Sequence, residues 1–143
     1  MKLKNIFLCD AATANPDNTF SVLRGGISAL NLSIPPNGDM SQIPTFQVTL
    51  VATIELEVTE MGRLHNVALV LMDLDGQKVL PEVKANFQTP ASPRKGYFNL
   101  ILNSVLKIYK PGEYCFYVNV DGHELGSQPL TVLFHQIQAP QIP

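Results

Sequence analysis

The sequence has no tryptophan, only two cysteines and a charged fraction of just 15% across 143 residues. Each shortage excludes something. Cys9 and Cys115 cannot supply the four closely paired ligands that a structural zinc site needs. They read as two small reduced hydrophobes in a cytoplasmic protein. Neither sign of charge dominates: ten Lys plus Arg against twelve Asp plus Glu give a net charge of −2. No general attraction to nucleic acid or to an anionic membrane surface follows from that balance. No apolar run approaches the ~20 residues of a membrane span. Lys2 and Lys4 ahead of Ile6–Cys9, then Ala12-Thr13-Ala14, outline a secretory signal. Asp10 cuts that apolar run short of the ~7–15 residues required, so export is not expected.

What is present is an ordinary hydrophobic share of 45%, enough for one folded domain. That domain is expected over residues 1–134, with an extended or frayed tail over 135–143. The strongest periodic signal runs from Phe46 to Val58. Phe46, Val48, Leu50, Ala52, Ile54, Leu56 and Val58 fall on one face, with Gln47, Thr49, Thr53, Glu55 and Glu57 on the other. Val51 is the one apolar exception. Period two over such a length predicts a long half-buried strand.

Other segments follow the same grammar. Leu3–Thr13 and Thr19–Arg24 flank Asn15-Pro16-Asp17-Asn18, whose composition suits a hairpin turn. With Pro16 and Asp17 at its centre, Asp10 lies opposite Leu23 and Cys9 opposite Arg24. Gly25-Gly26 ends that strand or bulges it, and Ile27–Ser33 resumes. Ile34–Pro44, with three prolines, reads as a loop. Val67–Leu74 is nearly all apolar, as expected for a central strand covered on both faces, and Asp75-Gly76 then supplies a two-residue hairpin turn that sets Asp73 against Lys78. Val83–Gln88 is a shorter strand and Thr89–Gly96 a surface loop. Phe98, Leu100 and Leu102 alternate with Asn99 and Asn103. Pro111-Gly112 makes a turn, Tyr114, Phe116, Val118 and Val120 share a face, Asp121-Gly122 turns again, and Pro129–Phe134 returns. No helical period is sustained, although Asn103–Tyr109 has room for a single helical turn.

About 7–9 short strands at such spacing predict an all-β fold, an antiparallel β-sandwich. The Pro111-Gly112-Glu113-Tyr114 corner before Phe116, Val118 and Val120 resembles the E–F corner and F strand of immunoglobulin-like sandwiches. That likeness implies that the Tyr114 hydroxyl turns back to upstream backbone. Phe116 stands where antibody domains place their second cysteine, so Cys115 is expected to point away from the core. A second resemblance covers more of the chain. Cys9-Asp10-Ala11-Ala12, a polar turn and Phe20-Ser21-Val22-Leu23-Arg24-Gly25-Gly26 are similar to a family of small bacterial proteins of unknown function. The long alternating strand and the Asp-Gly hairpin share that likeness, which implies a stand-alone cytoplasmic β-domain and names no ligand.

The search for chemistry yields candidates rather than a site. His65, His123 and His135 form no ligand pair and are expected as solvated loop histidines, with His65 and His123 the members a metal would need. No nucleophile elbow or phosphate-cradling glycine loop exists. Glu55 with Glu57 could share a proton, but they also complete the polar face of an alternating strand. Asp73, Asp75 and Asp121 would have to converge to bind calcium. Arg94, Lys95 and Tyr97, with Lys107, Tyr109 and Lys110, are the best basic–aromatic cluster for nucleic acid. A hydrolase would have to unite at least two of Asp10, Arg24, His65 and His123. The expectation is therefore a non-catalytic interaction module, with no catalytic residues, no metal and no cofactor. Its partner is expected to be protein, itself included, and neither nucleic acid nor membrane. Val51, Ile101, Cys115 and Tyr117 are apolar beyond the expected core face and form either a contact surface or a second core layer under a loop. The alternative is a small-ligand or carbohydrate site built on Tyr97, Asn99 and Asn103.

Overall fold

The computed structural model describes residues 1–35 and 45–136. The remainder of the expected Ile34–Pro44 loop and tail positions 137–143 lie outside the described residues. Among the described residues ten strands are present: β1 (Lys2–Cys9), β2 (Ala11–Ala14), β3 (Phe20–Leu23), β4 (Ala29–Ile34), β5 (Phe46–Leu56), β6 (Leu64–Asp73), β7 (Val83–Gln88), β8 (Gly96–Leu106), β9 (Gly112–Val120) and β10 (His123–Gln136). They form a three-stranded sheet in the order β1-β5-β8, a five-stranded sheet β4-β10-β9-β6-β7, and the small hairpin β2-β3. The fold is all-β, as the alternation predicts.

The period-two pattern of β5 explains the layering. Val48, Leu50, Ala52, Ile54 and Leu56 are buried, and they share one core with Val67, Leu69 and Leu71 of β6 and with Phe116, Val118 and Val120 of β9. Each strand thus gives alternate side chains to the gap between two stacked sheets, and full burial of such a side chain is worth about 1.5–3 kcal/mol. β5 stops at Leu56, short of the expected Val58, because Val58–Glu60 turn into one 3-10 turn. The Glu60 side chain accepts the Glu57 backbone N–H at 2.9 Å, which closes that turn. Tyr114 donates its hydroxyl to the Lys110 carbonyl at 2.6 Å, tying the corner before β9 to the backbone upstream as expected.

The structure corrects several local expectations. Leu3–Thr13 is two strands, broken at Asp10 where β1 leaves β5 and β2 turns off to pair with β3. The β2-β3 register is one residue off the predicted one: Ala11 faces Leu23. Its loop holds three residues, Pro16–Asn18, with Asn18 in the left-handed region at φ 64°. The β6–β7 turn shows the same shift. Met72, not Asp73, bridges to Lys78, and Gly76 takes the left-handed position at φ 76°. Asp73 instead receives the Asp75 and Gln77 N–H groups, both at 3.0 Å, and Lys78 pairs with Glu82. By contrast, Asp121-Gly122 is the expected two-residue turn, with Val120 opposite His123. Both turn residues have positive φ, 51° and 81°, as that tight turn requires.

Three more elements differ. Asn103–Leu106 continues β8 rather than coiling, held edge-on to β5 by pairs such as Asn103 with Thr49. Ile34 belongs to β4, and His135 and Gln136 belong to β10 rather than to a frayed tail. β4 runs parallel to β10, Thr131 opposite Ala29 through Gln136 opposite Ile34, so one parallel pair joins an otherwise antiparallel arrangement. Among the described residues no helix is long and apolar enough to cross a membrane.

Candidate functional site

The sandwich has two outward faces, and the chain treats them differently. On the three-stranded sheet the outward side chains include Phe7 and Cys9 of β1 and Thr49 and Val51 of β5. The β2-β3 hairpin lies over them. Cys9 and Val51 are both 0% exposed, and Phe7 packs on Phe20 of β3 with ring centres 5.9 Å apart. Val51 is therefore core under a hairpin, not contact surface, and Ile101 opposite it on β8 is partly covered.

The polar residues of this face secure the hairpin. Arg24 grips Asp10 with two bonds, Nε to Oδ2 at 2.7 Å and Nη2 to Oδ1 at 2.9 Å. Asn18 at the hairpin tip donates to the Tyr97 carbonyl and accepts from Asn99 Nδ2. The carbonyl oxygen of Asn99 takes the Thr53 hydroxyl, and that of Asn103 takes the Thr49 hydroxyl at 2.7 Å. Tyr97, Asn99 and Asn103 do share one face of β8, but their amides are largely spent inside the protein. Fewer amide groups are therefore free for the alternative, a small-ligand or carbohydrate site on these residues.

Glu55, expected on a solvated polar strand face, is buried. Its two oxygens meet Lys95 Nζ at 2.7 Å and Lys4 Nζ at 3.5 Å. The Lys95 hydrogen bond holds the carboxyl below the usual glutamate range against the opposing effect of burial. Glu57 is exposed at the start of the 3-10 turn. Glu55 is thus ion-paired, and Glu57 lies at the surface. Lys95 is likewise committed, and Lys107, Tyr109 and Lys110 follow the far end of β8. The length of that strand, about 33 Å, separates the two halves of the basic–aromatic cluster. Lys107 sits 5.7 Å from the Tyr109 ring centre.

His65 is also not a solvated loop residue. It is 4% exposed on β6, beside Phe87 at 5.2 Å between ring centres. Nδ1 is 2.6 Å from Asp121 Oδ2, and Nε2 is 2.8 Å from the Glu60 carbonyl. Both neighbours are acceptors. A neutral imidazole has one N–H and would satisfy only one of them, so the geometry calls for the doubly protonated ring. Burial opposes that charge, but Asp121 and the Glu60 carbonyl outweigh it and raise the His65 pKa above its usual value. Asp121 is held below the usual aspartate range, first by His65 and then by the Asn66 N–H on its other oxygen at 2.9 Å. A ring with both nitrogens donating has no lone pair to act as base or ligand.

Of the hydrolase candidates the structure unites Asp10 with Arg24, but in an exposed ion pair rather than a deep pocket. Asp10 and Arg24 sit at the Cys9 end of β1, while His65 and Asp121 sit by Glu60 beyond the other end of β5. More than about 20 Å of strand lies between the pairs. Asp73 and Asp75 flank one end of β6 and Asp121 the other, so the calcium trio is split by a similar length. His123 lies beside Asp121 in a small cavity of ≈ 240 Å³ with Glu60 and Leu125. Among the described residues no three His, Cys, Asp or Glu side chains are grouped to hold a metal ion.

The second outward face, on the five-stranded sheet, is open. Ala68, Val70 and Met72 of β6 stand opposite Asn119, Tyr117 and Cys115 of β9, all pointing away from the core by alternation. Among the described residues no element lies across them. Val70 is nonetheless buried, while Met72, Cys115 and Tyr117 are half-buried. Two concavities flank this apolar row. One, ≈ 550 Å³, is floored by Ala68 and Asn119 and bounded by Asn66, Lys84 and Glu124. The other, ≈ 340 Å³, lies between Leu74, Cys115, Tyr117 and Pro129. Cys115 and Tyr117 were legible as outward apolar residues in the sequence. Val70, Met72, Lys84 and Glu124 were not, because only the strand register shows that they share a surface.

The two cysteines are free and lie on opposite outward faces, two sheet layers apart. The family of unknown function DUF6941 matches residues 4–133, and the chain belongs to that family. No curated protein matches it.

Proposed function

We propose that this member of the family is a non-catalytic interaction module that binds protein through the open face of its five-stranded sheet. The observation that carries the reading is the contrast between faces. The β2-β3 hairpin lies over Cys9 and Val51 of one sheet, while among the described residues no element lies across the half-buried Met72, Cys115 and Tyr117 of the other. A contiguous apolar row flanked by polar residues is the anatomy of a contact surface. The commitment of His65, Glu55, Asp10 and Arg24 to internal partners supports the non-catalytic part. Two free thiols on separate faces fit a reducing, cytoplasmic setting.

Cross-linking tests the reading. Cys9 is buried, so a benzophenone maleimide will label Cys115 alone. Irradiation in extract of the native host should give discrete protein adducts from Cys115. A label moved to Val105→Cys in a Cys115→Ser background, on the other outward face, should not give them. Equal adduct patterns from both positions would remove the proposal. A second reading, a small-ligand site, rests on the ≈ 550 Å³ trough with Asn66, Lys84, Asn119 and Glu124 converging on it.

A further inference from the structure

We infer that the occupant of the open face is a second copy of this chain, related by a two-fold axis that runs along the strands between β6 and β9. The inference rests on the interaction reading above and adds the identity of the partner.

Two independent features choose the same axis. The first is charge. Lys84 pairs with Ala68, Ala68 with Asn119, and Asn119 with Glu124. These four residues form one row straight across β7, β6, β9 and β10, with a cation at one end and a carboxylate at the other. The ends are three strand spacings apart, about 14 Å. β4 pairs with β10 only from Thr131 onward, so at this level the row spans the whole sheet and both charged residues stand at its edges. They are exposed, and neither has a salt-bridge partner among the described residues. A half-turn about a line midway along the row lays each Lys84 over Glu124 of the other copy, twice per dimer.

The second feature is apolar. The cross-strand pairs Val70–Tyr117 and Met72–Cys115 straddle that same line. The half-turn sets Cys115 of one copy on Met72 of the other, and Tyr117 over β6 at Val70, whose own side chain is already buried. Stacked sheets keep their strands within about 30° of each other. Such a tilt moves a group 7 Å from the axis by only about 3.5 Å, within reach of lysine and glutamate side chains. β7 stands beside β6 only as far as Leu69, so the face is four strands wide over residues 66–69 and three over 70–73, and two copies cover roughly 900 Å² in total. That lies at the small end of interface sizes, as a weak, reversible dimer would. A foreign partner would need no such internal match between the two halves of the face; a copy does.

Charge reversal tests it on the full chain. Sedimentation equilibrium of the purified protein should show a monomer–dimer equilibrium. Lys84→Glu alone and Glu124→Lys alone should each weaken it by about tenfold or more, since each sets like charges together twice. The double reversal, Lys84→Glu with Glu124→Lys, should restore the wild-type constant to within about threefold. Both side chains are exposed, and unchanged thermal unfolding of each variant checks that the fold is intact. Three results overturn the inference: a wild-type monomer at all concentrations, a dimer indifferent to the single reversals, or a double reversal no tighter than the singles. A wild-type monomer that still gives Cys115 adducts with other proteins would remove the self-association while leaving the interaction reading standing.

Discussion

Replacing Phe116 with alanine is expected to lower the unfolding free energy by about 3–5 kcal/mol. Phe116 is 1% exposed and heads the fully buried side chains by volume. It sits on β9 in the middle of the five-stranded sheet and points into the gap between the two sheets, where it meets the shared core. Its loss removes the transfer free energy of an aromatic ring. It also leaves a cavity that the surroundings fill only in part, because β9 is held in place by its hydrogen bonds to β6 and β10. The expected fall in melting temperature is about 10–20 °C. Phe116→Leu, which keeps much of the volume, should cost far less. Equal losses for the two variants in a calorimetric scan would show that the sheets are not packed around this side chain.

His65→Ala is expected to cost about 3 kcal/mol. The substitution empties a buried site beside Phe87, leaves the Glu60 carbonyl without its donor, and frees one oxygen of Asp121. Asp121 is 41% exposed on its side chain, so water takes up part of its loss and the figure is kept modest. The larger effect is on pH dependence. The folded His65 pKa is raised, so its contribution is fully present below the ordinary histidine range, about pH 6.5, and is lost as pH rises through the raised folded value. The folded Asp121 pKa is lowered, so its contribution is present above the ordinary aspartate range, about pH 4, and is lost as pH falls through the depressed folded value. Urea unfolding should therefore show wild-type stability greatest between about pH 4 and pH 6.5 and declining on the alkaline side. In His65→Ala the alkaline decline should flatten. An unchanged alkaline slope would mean that His65 is not held as the cation.

The layers were legible in the sequence because alternation is a local property. The outward–inward order of β5 and β9 could be read residue by residue, and so could the Tyr114 corner. What failed were features decided by partners. Asp75-Gly76 and Asp121-Gly122 look alike as dipeptides, yet one forms a three-residue loop and the other a two-residue turn. The difference lies in where a carboxylate goes. Asp73 gathers the Asp75 and Gln77 N–H groups and draws the loop out by a residue. Asp121 instead turns to His65 and Asn66 on β6. The same limit explains Glu55, which alternation puts on a polar face and which the structure buries between two lysines.

The candidate site was half legible for the same reason. Cys115 and Tyr117 stood out as apolar residues facing away from the predicted core, and so did Val51 and Ile101. Nothing local separates the two pairs. The separation comes from the β2-β3 hairpin, which the sequence announces as a hairpin without saying which surface it covers. Lys84 and Glu124 lie forty residues apart in chain order and become neighbours in one row only through three successive strand pairings.

The central claim is that one outward face is closed by the chain and the other is open, and thiol reactivity measures it directly because each face carries one cysteine. In dilute native protein a colorimetric disulfide reagent should modify one thiol per chain, identified by peptide mapping as Cys115. Cys9 should react only when the protein is unfolded. Modification of Cys9 first, or of both thiols at the same rate in the native protein, would contradict the account.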